Sequence, residues 1–430
     1  MAATEKTSSL ERLTQEELDA VLKRHQMYRT AKMGGARAVL SFFDLSGLDF
    51  SGQDLTDADL TGARLTNANM KGAVFDYASL FACNLRDANL EAASFVKTDI
   101  RGASLRGANL AGANLVDADM RVGNIAEKDI RGDLKMIEVE SGPTEMRQAD
   151  FTGANLTRAR IAGGIASNTI FKGALMKDCQ LTRANLEGAD FTGANLEGAD
   201  LSWANMQGAN MRDSILNGAQ MDMTELRGAE MDGAMTDEPM GPTADDLPDT
   251  LEHMLEQHEI WVATGSHDGR QLDVRGFDLR SVETLSKTNL TALMGTGVIL
   301  CNVDLTGAQI QAAQVNKADF RGCQMGGCDL RGSNLSGAKL DHAMLDGAQI
   351  RSLSLEGGAL LPTNLAGASL RHISAVGADL RHINLKGADL TLAVLRGADL
   401  RGTDLSDVIL DRVDATDATI DDEQQAFFEA

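Results

Sequence analysis

This 430-residue chain has little of what builds a thick globular core. Aromatic residues make up only 4% of it, with two Trp and two Tyr. A chain of this length in ordinary globular form divides into several domains, each with its own compact interior, and so few large rings argue against such interiors. Proline is scarce, at 5 residues. No apolar run approaches the ~20 residues of a membrane-spanning helix. The first eighteen residues, MAATEKTSSLERLTQEEL, lack the apolar centre of a secretory signal. Five cysteines, without disulfide-like spacing, fit a reducing compartment. The expectation from these absences is a cytoplasmic protein. Basic residues are also few: 40 Lys and Arg against 63 Asp and Glu give a net charge of −23. Direct binding to nucleic acid needs basic clusters and is not expected. The acidity leaves room for mimicry of nucleic acid or for a basic partner.

What the chain has in abundance is Gly, 43 of them, together with Ala, Asp and Leu in a five-residue beat. Large apolar residues fall at Leu55, Leu60, Leu65, Met70, Phe75 and Leu80, and from Leu60 on a small residue, Ala58, Ala63, Ala68, Ala73 and Ala78, stands two places before each. A period of five fits neither a helix nor a strand and marks a solenoid. A second period of twenty appears in Phe151, Phe171 and Phe191, extended by Met211 and Met231. If each pentapeptide forms one side of a square coil, residues twenty apart stack on successive rungs about 4.8 Å apart, and these five form a core ladder. The Asp or Asn before each apolar centre can hydrogen-bond the turning backbone, and Gly eases the corner.

The units Ala58-Asp59-Leu60-Thr61-Gly62, Ala184-Asn185-Leu186-Glu187-Gly188 and Ala398-Asp399-Leu400-Arg401-Gly402 carry a resemblance to the pentapeptide-repeat family. The resemblance implies an all-β solenoid, a right-handed quadrilateral β-helix. It also brings one functional expectation, since members of the Qnr and MfpA type act on the type II topoisomerase gyrase as DNA mimics.

The beat divides the chain. Residues 1–39 do not repeat and hold a helix opened by a capping box of Thr14 and Glu17. Repeats run from 40 to 235, interrupted at 131–149 where the phase shifts by one residue, which predicts a loop leaving one corner. Residues 236–274 read as an acidic linker and a second capping helix, LEHMLEQHEIWVA. Repeats resume over 275–420, irregular through TALMGTGVILC and regular from Leu300, and residues 421–430 form a tail. The two non-repeating starts match: His25/Tyr28 with His258/Trp261, and Gly35 before Asp44 as Gly269 before Asp278. Two tandem modules, each opened by a capping helix, follow from this, since an open rung exposes apolar interior and strand edges. Phe427 and Phe428 in the tail either cover the last coil or join open ends, so the chain is a monomer or an end-to-end homodimer.

No constellation for catalysis is present, and no cofactor or metal is expected. The periodic Asp residues are scaffold, and the seven His residues include no metal-ligand pair. Cys83, Cys179, Cys323 and Cys328 occupy the small inward slot. Candidate binding residues are those that break the repeat, Lys135, Met136, Ile137, Glu138 and Val139, because loops on a rigid scaffold carry binding. Arg331, Arg351 and Arg371, spaced by twenty, should form a charged column, with Arg381 and Arg401 in another. Three functions compete: a non-catalytic protein-binding scaffold, a DNA-mimicking topoisomerase modulator, and an effector or adaptor. About 70 Å of duplex carries roughly 40 phosphate charges, which ranks mimicry behind the scaffold.

Overall fold

A computed structural model describes residues 10–123, 126–128, 134–136, 142–355 and 357–428. The chain forms two compact units, Met1–Asp237 and Glu238–Ala430.

In both units the pentapeptide is a hydrogen-bonding module, and where Asp or Asn precedes the apolar centre all five of its backbone N–H groups can find an acceptor. The unit around Leu60 shows the scheme. Asp59 N–H donates down to the Ala38 carbonyl (3.0 Å), and Leu60 N–H donates up to the Ser79 carbonyl (2.8 Å). Thr61 N–H donates to Asp59 Oδ1 (3.1 Å). Gly62 N–H reaches up to Phe81 (2.8 Å), and Ala63 N–H closes the corner on Leu60 (2.9 Å). Gly62 has φ 67°, the left-handed geometry that a type II corner needs at its third residue. Parallel bridges such as Val39–Asp59 and Asp59–Ser79 recur at every fifth residue, four to a turn of twenty.

The apolar centre and the small residue two places before it both point inward. Leu60, Phe75, Phe151 and Met211 are 0% exposed, as are Ala68 and Ala154 in the small slots. Phe151, Phe171 and Phe191 stack with ring centroids 5.2 and 5.0 Å apart, and Phe75 stacks on Phe95 at 5.3 Å. Met211 continues the ladder fully buried, while Met231 is half-buried. Where the small slot holds a hydroxyl or thiol, it donates to a carbonyl one rung below: Cys83 to Leu60, Thr98 to Phe75, Thr169 to Met146 and Cys323 to Leu300.

The first unit opens with strand β1 (Glu11–Arg12), parallel to β2 (Phe43–Asp44), and helix α1 (Gln15–Arg29) between them. Thr14 and Glu17 form the capping box. Leu18 and Leu22 join the core, and buried His25 accepts the Ala38 N–H at Nδ1 (3.0 Å). The chain returns tight against α1 at Gly35, where a Cβ would lie 2.3 Å from the Tyr28 nitrogen.

Two departures from the sequence reading concern the first unit's repeats. The coil does not continue to 130: Ala126–Lys128 (β3) pairs antiparallel with Leu134–Met136 (β4). The coil is also already restored before Phe151, because Glu145 bridges Ser104. Bridged residues across this insertion are 41 apart (Asp119–Arg160) instead of 20, an excess of 21 that accounts for the phase shift.

The second unit repeats the opening. Helix α2 (Leu251–Ala263) buries His258, whose Nδ1 accepts the Leu272 N–H (3.0 Å), and Gly269 approaches α2 so closely that a Cβ would lie 2.3 Å from the Gln257 carbonyl oxygen. The segment read as linker is partly built into the coil: Thr243 bridges Asp278, and Met240 N–H donates to Asp278 Oδ2 (3.0 Å). The stretch 291–301 is regular. The irregular step lies earlier, where six residues instead of five separate the centres Leu279 and Leu285. The array from Leu300 is broken once, by an antiparallel hairpin of β5 (Leu353–Ser354) and β6 (Leu360–Leu361). Here bridged residues such as Asn334 and Asn364 are 30 apart. In the tail, helix α3 (Gln425–Phe428) sets Phe428 against the core and leaves Phe427 47% exposed.

Replacing Phe171 with Ala removes the centre of the ring stack and should destabilise the first unit by roughly 3–5 kcal/mol. Urea denaturation checks this, and a loss below about 1 kcal/mol would refute the stacked core.

Candidate functional site

Each insertion leaves the coil after an Arg and is closed by a threonine. Thr144, fully buried in a small slot, accepts from Gly102 N–H (3.0 Å) and donates to the Arg121 carbonyl (3.1 Å). Thr363, equally buried, accepts from Gly332 N–H (2.8 Å) and donates to the Arg351 carbonyl (3.1 Å). A proline precedes each threonine, Pro143 and Pro362, at the corner position whose N–H elsewhere reaches the next rung. Proline has no N–H to leave unpaired there.

Of the loop residues singled out in the sequence, Lys135 and Met136 lie on β4, while Ile137, Glu138 and Val139 lie outside the described residues. The corner from which this hairpin departs carries exposed apolar side chains along its length: Phe42 (50%), Val122 (45%), Trp203 (60%) and Met223 (71%). Trp203 has φ 63°, a conformation that costs a residue with a Cβ roughly 1–2 kcal/mol. Phe42 lies over Gly62, where a Cβ would come within 2.5 Å of its ring.

The second hairpin went unread because its ten residues keep the five-residue phase. Its signals in the sequence are Gly357-Gly358, Pro362 in a corner position and the loss of Asp or Asn between 350 and 363. It exposes Leu355 and Leu360 and packs Leu353 and Leu361 against Gly332.

This insertion also corrects the arginine column. Arg351 follows Arg331 by one rung, but the next residue up is Arg381, not Arg371, because Gln349 bridges Asp379. The column is Arg331, Arg351, Arg381 and Arg401, and aspartates lie between the guanidiniums. Arg331 pairs with Asp329 (2.6 Å), Arg351 and Arg381 with Asp379 (3.2 and 2.7 Å), and Arg401 with Asp399 (2.7 Å). Three aspartates for four arginines make it a largely compensated ladder and not a bare basic stripe.

Arg371 belongs to a more buried column two sides away, on the opposite face of the coil. Arg321 is 1% exposed and paired with Asp319 (2.6 Å). Asp341, also 1% exposed, accepts from Arg371 Nε (2.8 Å), Arg371 N–H (3.2 Å) and the Ser369 hydroxyl (2.6 Å). Burial pushes the Asp341 carboxyl up, but the Arg371 guanidinium and the Ser369 hydroxyl outweigh it and hold the pKa below the usual carboxylate range. His342 and His372 stack beside it at 4.8 Å. Cys301 donates to Asp319 Oδ1 (2.8 Å). Burial raises this thiol well above its ordinary pKa and raises Cys83 and Cys328 to about 12, which makes them unreactive at neutral pH.

The family of pentapeptide repeats, defined by eight copies of the unit, matches residues 36–80, 83–121, 144–173, 166–198, 194–233, 285–322, 318–357, 363–402, 376–412 and 388–421. These cover most of the chain, and the chain belongs to this family, whose fold is the right-handed β-helix solenoid. The matches stop at Arg121 and resume at Thr144, the two ends of the first insertion. Among solved structures, the pentapeptide repeat protein Rfr23 of the cyanobacterium Cyanothece 51142 is 29% identical over 31% of this chain and 91% of its own (TM-score 0.27). HetL of Nostoc sp. PCC 7120, involved in the regulation of heterocyst differentiation, is 28% identical over 49% and 93% (TM-score 0.23). QnrB1, a plasmid-mediated fluoroquinolone resistance protein, is 18% identical over 47% and 90% (TM-score 0.33). No curated protein matches the chain.

Asp341→Asn should destabilise the second unit by about 3 kcal/mol, because it breaks the buried ion pair with Arg371. A carboxyl whose folded pKa is depressed stabilises above its unfolded pKa of about 3.9 and loses that contribution as pH falls through the folded value. The difference in melting temperature between the variant and wild type should therefore be full at pH 6 and shrink below about pH 4. A difference unchanged down to pH 2 would contradict the assignment.

Proposed function

We propose that this protein is a non-catalytic, protein-binding scaffold: two four-sided coils, each opened by a helical cap, that hold recognition hairpins in fixed positions. One observation carries the reading. In coils whose backbone hydrogen bonds close on themselves, two segments leave the lattice, and each departure is closed by the same buried threonine clip. A chance insertion would not need a matched closure. The exposed apolar residues on the corner of the first hairpin, and Leu355 and Leu360 on the second, supply contact area. The five buried free cysteines fit a reducing compartment, the cytoplasm.

The alternative, a DNA mimic directed at a type II topoisomerase, wants a continuous acidic track. Acids in the outward bridge columns occupy at most two successive rungs, as at Asp99 and Asp119, and both of these pair with arginine. That pattern favours the scaffold.

Deleting residues 122–142 or 352–361 should restore the twenty-residue turn and leave the fold intact by circular dichroism. Affinity capture from nuclease-treated lysate, with cross-linking mass spectrometry, should then lose a defined partner with one deletion and keep it with the other. Identical partners from wild type and both deletions would sink the hairpin reading, and a topoisomerase retained by both would favour mimicry.

A further inference from the structure

The two opening helices are built alike but packed differently. Counting back from the buried histidines, Leu18 and Leu22 of α1 correspond to Leu251 and Leu255 of α2. Leu18 and Leu22 are 0% and 7% exposed, whereas Leu251 and Leu255 are only half-buried. The cause lies in the rung beneath. In the first unit five residues separate the centres Leu45 and Phe50, while in the second the step from Leu279 to Leu285 takes six. Where this longer step falls, Val282 packs against the core, Thr284 is exposed, and a groove of about 670 Å³ opens beside α2. Leu251, Leu255, Val282 and Leu285 form an apolar strip in it, beside the polar Thr288 and Asn289. Its outer wall is the acidic ridge Glu252, Glu256 and Glu259, at helical spacing, all exposed. Lys287 is the single cation among the lining residues, and His253 lies 3.5 Å from Glu256.

We propose that this groove is a docking site for a basic, amphipathic peptide segment of a partner protein. Burial of an apolar stripe against Leu255 and Val282 supplies affinity, and Lys or Arg residues on the flank meet the glutamate ridge, which sets orientation and on-rate. The volume suits a few large side chains, within the size range of ligand pockets. The inference deepens the scaffold reading and rests on it, but the two fail separately, because the hairpin deletions leave the groove untouched.

The test is fluorescence polarisation of the full chain with a labelled basic amphipathic peptide, KLLKKLLKKLLK. A scramble of the same composition without helical periodicity and the acidic counterpart ELLEELLEELLE serve as controls. The amphipathic peptide should bind at least ten-fold tighter than either. The triple variant Glu252→Gln, Glu256→Gln, Glu259→Gln should weaken it at least ten-fold, and Val282→Trp, which fills the groove, should do the same. Removing three acids in the first unit (Glu187→Gln, Asp222→Asn, Glu230→Gln) should leave it unchanged. Circular dichroism and melting curves of each variant separate a lost site from a lost fold. Equal binding of the scramble, or equal losses from both triple variants, would reduce the effect to net charge and overturn the proposal. So would a concentration-dependent dimer in light scattering that Val282→Trp dissolves, since the occupant would then be a second copy of this chain.

Discussion

The structure depends on finding an acceptor for every backbone N–H in a chain that turns a corner every five residues. A strand satisfies its N–H groups through its neighbours, but a corner cannot, and an unpaired buried group costs about 1–3 kcal/mol. The pentapeptide resolves this with three N–H bonds to adjacent rungs, one within the corner, and one to its own Asp or Asn side chain. Each conserved feature of the motif follows from that scheme: a small residue for the narrow interior, Asp or Asn for the fifth N–H, a large apolar centre, and a corner residue that tolerates positive φ. Some of the units that lack the Asp or Asn find a substitute acceptor. Where Ser94 replaces the Asp, the N–H of Val96 goes instead to Asp76 one rung below. Ser369 and Ser374 use Asp341 and Asp346 in the same way, 30 residues back, across the second hairpin. The most buried carboxylate of the second unit is thus explained as a relocated backbone acceptor and not as a catalytic acid.

The same constraint locates function. A lattice this self-satisfied offers partners little beyond flat, charge-compensated faces, and even its arginines interleave with aspartates. On the proposed scaffold reading, sites lie where the lattice is interrupted. Two hairpins depart at corners and are closed by Thr144 and Thr363, and one rung carries a sixth residue and opens a groove beside α2. Polar closure costs the coil little, since the gap in each rung is spanned by a hydroxyl that both accepts and donates.

Much of this was legible in the sequence, and the rest was hidden for physical reasons. The beat of five and the ladder Phe151, Phe171, Phe191 depend on side-chain type alone, so they read directly. The paired signatures His25/Tyr28 and His258/Trp261, with Gly35 and Gly269, gave the two opening helices because each Gly is needed for a close approach to helix backbone. The second hairpin stayed hidden because ten residues preserve the phase, and Leu355 and Leu360 imitate centres. That single omission misplaced Arg371 by two columns, onto the opposite face. Ile125 and Ile130 likewise extended the first array on paper, although β3 and β4 pair across that stretch. Counting hydrogen-bond partners, and not apolar centres, would have exposed the second hairpin, since 351–363 supplies no Asp or Asn; the first gave no such signal, because Asn124 and Asp129 stand where the repeat requires them.

Residue-resolved amide hydrogen exchange on the full chain tests the N–H scheme most directly. Within each pentapeptide, the N–H groups bonded to adjacent rungs should exchange slowly and the one held by the Asp or Asn side chain fastest, a pattern repeating every five residues and lapsing only over 353–361 within the second array. Uniform protection along the pentapeptide, or a five-residue pattern that runs unbroken from 300 to 420, would contradict it.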